Sequence, residues 1–112
     1  MAYSVTKAAE LSLSRSFAEL YAGHGVLVNA VAPGPVADGV WLAAGGLADQ
    51  IAQKNRLSRE EVLSRTASGV PLGRLGSAQE IAAVIVFLCS EQASNVTGAA
   101  WSVDGGSVPV II

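Results

Sequence analysis

Charge is scarce in this chain. Asp, Glu, Lys and Arg make up 14% of its 112 residues, against roughly 25% in a typical soluble domain. The net charge is −2 and the basic residues are scattered, which excludes the clustered Lys/Arg surface of a nucleic-acid binder. Cysteine occurs once, at Cys89, so no disulfide framework can form within the chain. Cys89 closes an apolar run at an expected helix end and reads as a core residue rather than a reactive thiol. The single histidine, His24, excludes His-rich metal sites. Flanked by Gly23 and Gly25, it reads as an exposed turn residue. Long apolar runs are also lacking. The longest, Ile81 to Cys89, falls far short of the about 20 residues a membrane span needs and reads as a buried helix. No secretory leader pattern is visible at the N-terminus, so the expected compartment is the cytoplasm, with neither a membrane nor nucleic acid as partner.

What the chain has is hydrophobicity, 51% of its residues. A chain of one-domain length with so little charge either buries much surface against other chains or belongs to a larger core. Residues 3–22 carry Val5, Ala8, Ala9, Ser12, Leu13, Ser16, Phe17, Leu20 and Tyr21 at helical spacing, with Gly23 as the expected stop. VLVNAVA, Val26 to Ala32, is bounded by Gly25 and Pro33 and suits a strand buried on both faces. Asp38 to Gly76 is looser and punctuated by glycines. A helix is expected over part of Val40 to Asn55. Ser58 with Glu61 forms a capping-box pattern that starts a second, through about Thr66. Ser77 with Glu80 repeats the pattern and leads into IAAVIVFL. AAWSV, Ala99 to Val103, reads as a second strand, stopped by Asp104, Gly105 and Gly106. Strand, helical crossover and strand make a parallel pair. Two strands are fewer than independent stability normally needs, so the expectation is the second half of an α/β domain.

Tyr3 and Lys7 stand four residues apart, on one face of the first helix. A free tyrosine has a pKa of about 10, and a nearby ammonium favours its phenolate. Such a pair suits general acid–base chemistry. The same spacing occurs often by chance on helix surfaces, and taken alone it favours an exposed tyrosine beside a solvated lysine.

The sequence around the pair does bear on that choice. YSVTKAAELSLSRSFA, VLVNAVAPGPV, PLGRLGSAQEIAAVIVFLCSE and VTGAAWSVDGG, in this order, resemble the C-terminal half of a short-chain dehydrogenase/reductase. Three elements reinforce one another: Tyr3-x-x-x-Lys7, Asn29-x-x-x-Pro33-Gly34, and Val103-Asp104-Gly105-Gly106. The resemblance implies the C-terminal part of a Rossmann-like, doubly wound parallel sheet, with about two strands and three to five helices, incomplete as a domain. Residues 1–112 would form a C-terminal portion of one domain, with 38–76 as its substrate loop and lid. The implied activity is NAD- or NADP-dependent carbonyl reduction or alcohol oxidation on a small molecule. Tyr3 would be the acid/base. Lys7 would lower its pKa and bind the nicotinamide ribose, and Pro33, Gly34 and Val36 would line the nicotinamide side. No metal is implied.

The departures from the family pattern are specific. Asp38 stands where the family usually has Thr or Ser, and a carboxylate there would repel a pyrophosphate unless turned away. The glycine-rich dinucleotide turn lies in the family's N-terminal half. Gly69-x-x-x-Gly73-x-x-Gly76 follows no strand and reads as loop chemistry instead. The expectation is therefore a truncated fragment beginning in mid-domain, inactive alone. The alternative is a half-domain working through self-association or association with a full-length relative, since family members form dimers and tetramers. A serine hydrolase is disfavoured, because no Gly-x-Ser-x-Gly elbow is present.

Overall fold

The computed structural model describes residues 2–109; Met1, the expected mid-domain start, and residues 110–112 lie outside the described residues. The elements in chain order are α1 (Ala2–Tyr21), β1 (Ala30–Pro33), α2 (Gly39–Leu42), α3 (Leu47–Asn55), α4 (Arg59–Ser68), α5 (Ala78–Leu88) and β2 (Ala100–Val103). Short 3-10 turns cover Ala22–His24 and Glu91–Ala93. β1 and β2 pair in a two-stranded sheet. Ala30 N–H donates to Ala99 O and Gly34 N–H to Val103 O, so both strands advance in step and the pairing is parallel. This is the expected α/β architecture.

The chain divides into two compact units, the first Met1–Ala32 with Ala83–Trp101, the second Pro33–Ala82 with Ser102–Ile112. In the first unit, α1 is a long helix free of Gly and Pro. The hydroxyls of Thr6 and Ser16 bond back to the Ala2 and Ser12 carbonyls. Helical geometry does not stop at Gly23. It tightens into the 3-10 turn, and Gly25, at φ 75°, is the left-handed residue that ends it.

Ala18 of α1 is buried and meets the 93–98 loop. A Cβ on Gly98 would stand 3.4 Å from Ala18 Cβ and 3.1 Å from Arg15 Cδ, while Arg15 donates to Gly98 O. The Asn29 amide ties the same loop from the other direction. It donates to Val96 O at 2.8 Å and accepts from Ala99 N–H at 3.1 Å. Phe87 and Trp101 pack with ring centres 5.6 Å apart.

The first strand is shorter than expected, and Val26 and Leu27 are exposed. Backbone pairing reaches Val28, whose carbonyl accepts from Gly98 N–H at 2.7 Å, but Val28 N–H bonds a side chain, the Thr97 hydroxyl, instead of a ladder carbonyl. The buried-helix reading of Ile81 to Cys89 is also corrected. None of α5 is buried, Val86 is 68% exposed, and Cys89 is exposed rather than in a core. A helix apolar on all sides needs cover on all sides, and the described residues supply no such cover. No helix among them is long and apolar enough to cross a membrane.

In the second unit, both anticipated capping boxes form. Ser58 Oγ accepts from Glu61 N–H while Glu61 accepts from Ser58 N–H, and Ser77 and Glu80 repeat the exchange. α4 runs to Ser68, slightly past the expected end. The helix expected within Val40 to Asn55 is two helices, α2 and α3, broken at Gly45 (φ 74°) and Gly46. A Cβ on Gly46 would come within 2.8 Å of the Val40 and Ala43 carbonyls. Arg59 clasps the turn, bonding Asp49 at 2.8 Å and the Leu42 carbonyl. Ala48, Ala52, Val62 and Val70 form the small core of this unit.

Candidate active site

Tyr3 and Lys7 lie one turn apart near the start of α1 and share a face, with Lys7 Nζ 5.8 Å from the centre of the Tyr3 ring. Tyr3 is 75% exposed. Lys7 Nζ also donates to Glu10 at 2.8 Å, and that carboxylate holds the ammonium above the ordinary lysine value, with a smaller contribution from Tyr3. Lys7 is therefore a cation at neutral pH. An ammonium has three N–H donors, so bonding Glu10 leaves donors for a ligand. The sequence reading missed Glu10, although an acidic residue three positions after a lysine on a helix is a readable pairing signal.

Pro33, Gly34 and Val36 fall in the second unit, in one segment at the end of β1. Gly34 packs where no side chain fits: a Cβ there would lie 2.7 Å from Asp104 Cα and 3.0 Å from Asp104 O. Asp104 is itself fixed. Its carboxylate accepts from Gly106 N–H and Val108 N–H, both at 2.9 Å, closing the turn after β2. Gly105, with φ 64°, lies against Val70 in that turn, where a Cβ would come within 2.6 Å of Val70 Cγ1.

Val36 pairs with Gly76 in an isolated parallel bridge. Gly76 N–H donates to Pro35 O at 2.9 Å, and Ala37 N–H donates to Gly76 O at 2.8 Å. The bridge ties together the two ends of the 38–76 segment. A cleft of about 520 Å³ opens beside it, with Pro35, Arg74, Gly76, Glu80 and Asp104 in its walls. Of the sequence-predicted segment, Pro35 lines this cleft, whereas Pro33, Gly34 and Val36 do not.

Asp38, the departure from the family pattern, has a local role. Its Oδ1 accepts from Val40 N–H at 3.0 Å and Trp41 N–H at 3.3 Å, capping α2. The carboxylate is turned onto its own helix. Glu80 is the most perturbed acid described. Arg74 holds its carboxyl at about 2, with help from the Ser77 N–H and hydroxyl.

A family model described as enoyl-(acyl carrier protein) reductase matches residues 1–108. The chain is 39% identical over 109 residues to 2-(S)-hydroxypropyl-CoM dehydrogenase 3 of Xanthobacter autotrophicus, covering 97% of this chain and 40% of that protein. Among solved structures it is similar to a short chain dehydrogenase family protein from Francisella tularensis, with a TM-score of 0.88 at 30% identity, covering 98% of this chain and 44% of the other. It is also similar to the L-sorbose reductase of Gluconobacter frateurii, solved with NADPH and L-sorbose, with a TM-score of 0.85 at 32% identity, covering 97% and 41%. The chain thus spans less than half the length of these relatives. The match to the family model over almost every residue, together with the parallel α/β fold these relatives share, shows that the chain belongs to the short-chain dehydrogenase/reductase family.

Proposed function

We propose that this chain carries the proton-transfer pair and part of the nicotinamide pocket of an NAD(P)-dependent oxidoreductase acting on a small carbonyl or alcohol. The observation that carries the proposal is the placement of Tyr3 and Lys7 on one exposed face of α1 in a member of this family. When bound, the cofactor supplies or accepts the hydride. Tyr3 Oη gives its proton to the substrate oxygen in reduction and takes it back in oxidation. Lys7 brings a positive charge close to the phenol, which stabilises the charge left on Oη after transfer. Its remaining donors suit the hydroxyls of a ribose, so the donor set fits a nicotinamide nucleotide. Pro33, Gly34 and Val36 line the nicotinamide side, and residues 38–76 form the substrate loop and lid. With Asp38 turned onto α2, its carboxylate is directed to backbone N–H groups rather than to a phosphate.

The test is the gene product of the reading frame that contains these residues, followed by NADH and NADPH absorbance over a panel of ketones and alcohols. The expected result is turnover in the parent and a loss of about 10²-fold or more in Tyr3→Phe, the usual scale for general acid–base catalysis. Turnover retained in Tyr3→Phe removes Tyr3 from the reaction.

A second reading is favoured by one observation, the exposed apolar surface of α1 and α5, which includes Val5, Leu13, Leu20 and Val86. In that reading the chain works by covering this surface with a second copy or with a full-length relative, in a dimer or tetramer. A monomer in sedimentation at micromolar concentration refutes it.

A further inference from the structure

The Val36–Gly76 bridge is flanked by groups that the proposed proton transfer does not use. Arg74 donates two bonds to the Glu80 carboxylate, at 2.6 and 3.0 Å, and a third to Leu75 O at 3.2 Å. Glu80 Oε2 also accepts from Ser77 N–H at 2.8 Å and from Ser77 Oγ at 3.1 Å. Arg74 and Ser77 are thus gathered around one carboxylate, with Gly76 between them. Space does not demand glycine there, since a Cβ would stand 3.7 Å from Pro35 O and 3.9 Å from Glu80 Oε2. A glycine left to itself is the most mobile of residues. The surrounding bonds fix it, and its N–H and carbonyl in turn fix Pro35 and Ala37 on either side of Val36.

We infer that Arg74 and Glu80 are positioning residues for the reaction: they lock Gly76 and so set the Pro35–Ala37 backbone that carries Val36. The inference rests on the reading that this segment lines the nicotinamide side. Both side chains are about half exposed, so the pair adds little to global stability. Its effect is expected in placement, where an error of about 1 Å can cost about 10²-fold in rate.

The experiment uses Glu80→Ala and Arg74→Met in the complete gene product and reads two quantities. The first is amide exchange at Gly76 and Ala37, with Val62 in α4 as the control for the fold. The second is kcat against the KM for cofactor. Exchange at Gly76 and Ala37 is expected to quicken about tenfold with Val62 unchanged, and kcat to fall about tenfold or more with KM within about threefold, the signature of lost placement. Glu80→Gln keeps the cap on Ser77 but loses the two-oxygen acceptor that holds Arg74, and is expected to match Arg74→Met in both readings. Unchanged exchange at Gly76 and Ala37 overturns the inference whatever turnover shows. Faster exchange with full turnover also overturns it, and in that case the fault lies in assigning the segment to the cofactor. If Glu80→Ala does not fold, Arg74→Met leaves the capping box intact and gives the same two readings.

Discussion

Replacing Gly34 by alanine tests whether the end of β1 is set by close backbone packing. The added Cβ would lie 2.7 Å from Asp104 Cα, 2.9 Å from Asp104 Cβ and 3.0 Å from Asp104 O. These atoms cannot swing aside like the end of a flexible side chain. Asp104 is anchored by bonds from Gly106 and Val108, and Gly34 by its own bond to Val103 O. Forcing a methyl into a packed site costs about 1–3 kcal/mol. Alanine also restricts the unfolded chain, a gain of about 0.4–1 kcal/mol where the native backbone accepts it. The steric cost exceeds the gain, and a net loss of about 1–2 kcal/mol follows. Gly39→Ala is the matched control, because nothing lies within 4 Å of a Cβ there. Urea unfolding of both variants is expected to show Gly34→Ala less stable than the parent and Gly39→Ala equal or more stable. A Gly34→Ala variant as stable as Gly39→Ala refutes the close packing of Gly34 on Asp104.

Ser58→Ala removes a cap that closes both ways onto Glu61 and is expected to cost about 1 kcal/mol in the same unfolding assay; no measurable loss argues against the capping box. Asn29→Ala leaves the Val96 carbonyl and the Ala99 N–H without their partner, each a half-buried group, and a loss of about 1–3 kcal/mol is expected, with faster amide exchange at Ala99. Stability unchanged in Asn29→Ala refutes a structural role for those two bonds. Glu80, held at about 2 by Arg74 and Ser77, has a folded pKa below its unfolded value of about 4.3. Its contribution to stability is therefore complete above that unfolded value and is lost as pH falls through about 2. A carbon-13 titration of its carboxyl should show that midpoint and an upward move in Arg74→Met. A parent midpoint in the ordinary glutamate range refutes the ion-pair geometry.

The two capping boxes were legible because the partners stand three residues apart, so local geometry alone joins them. The Tyr3–Lys7 face was legible for the same reason, through the helical repeat. The sequence order of helix, strand, helices and strand likewise determined the parallel pairing, since a helical crossover joins strands in one direction. Contacts between residues distant in the chain were not legible. The bonds of Asn29 to Val96 and Ala99, the seat of Gly34 on Asp104, and the Val36–Gly76 bridge carry no local periodicity. Burial was misjudged for Ile81 to Cys89 because hydrophobicity states what a segment would gain from cover, while exposure depends on which surfaces reach it. By itself the sequence determined the order of helices and strands, the two capping boxes, the resemblance to the family and the candidate proton-transfer pair. The tertiary structure alone decided where β1 begins, which glycines are held by close approach, that Asn29 ties the 96–99 segment, and that Gly76 bridges to Val36. Those outcomes depend on distances between chain segments, which local residue chemistry does not encode.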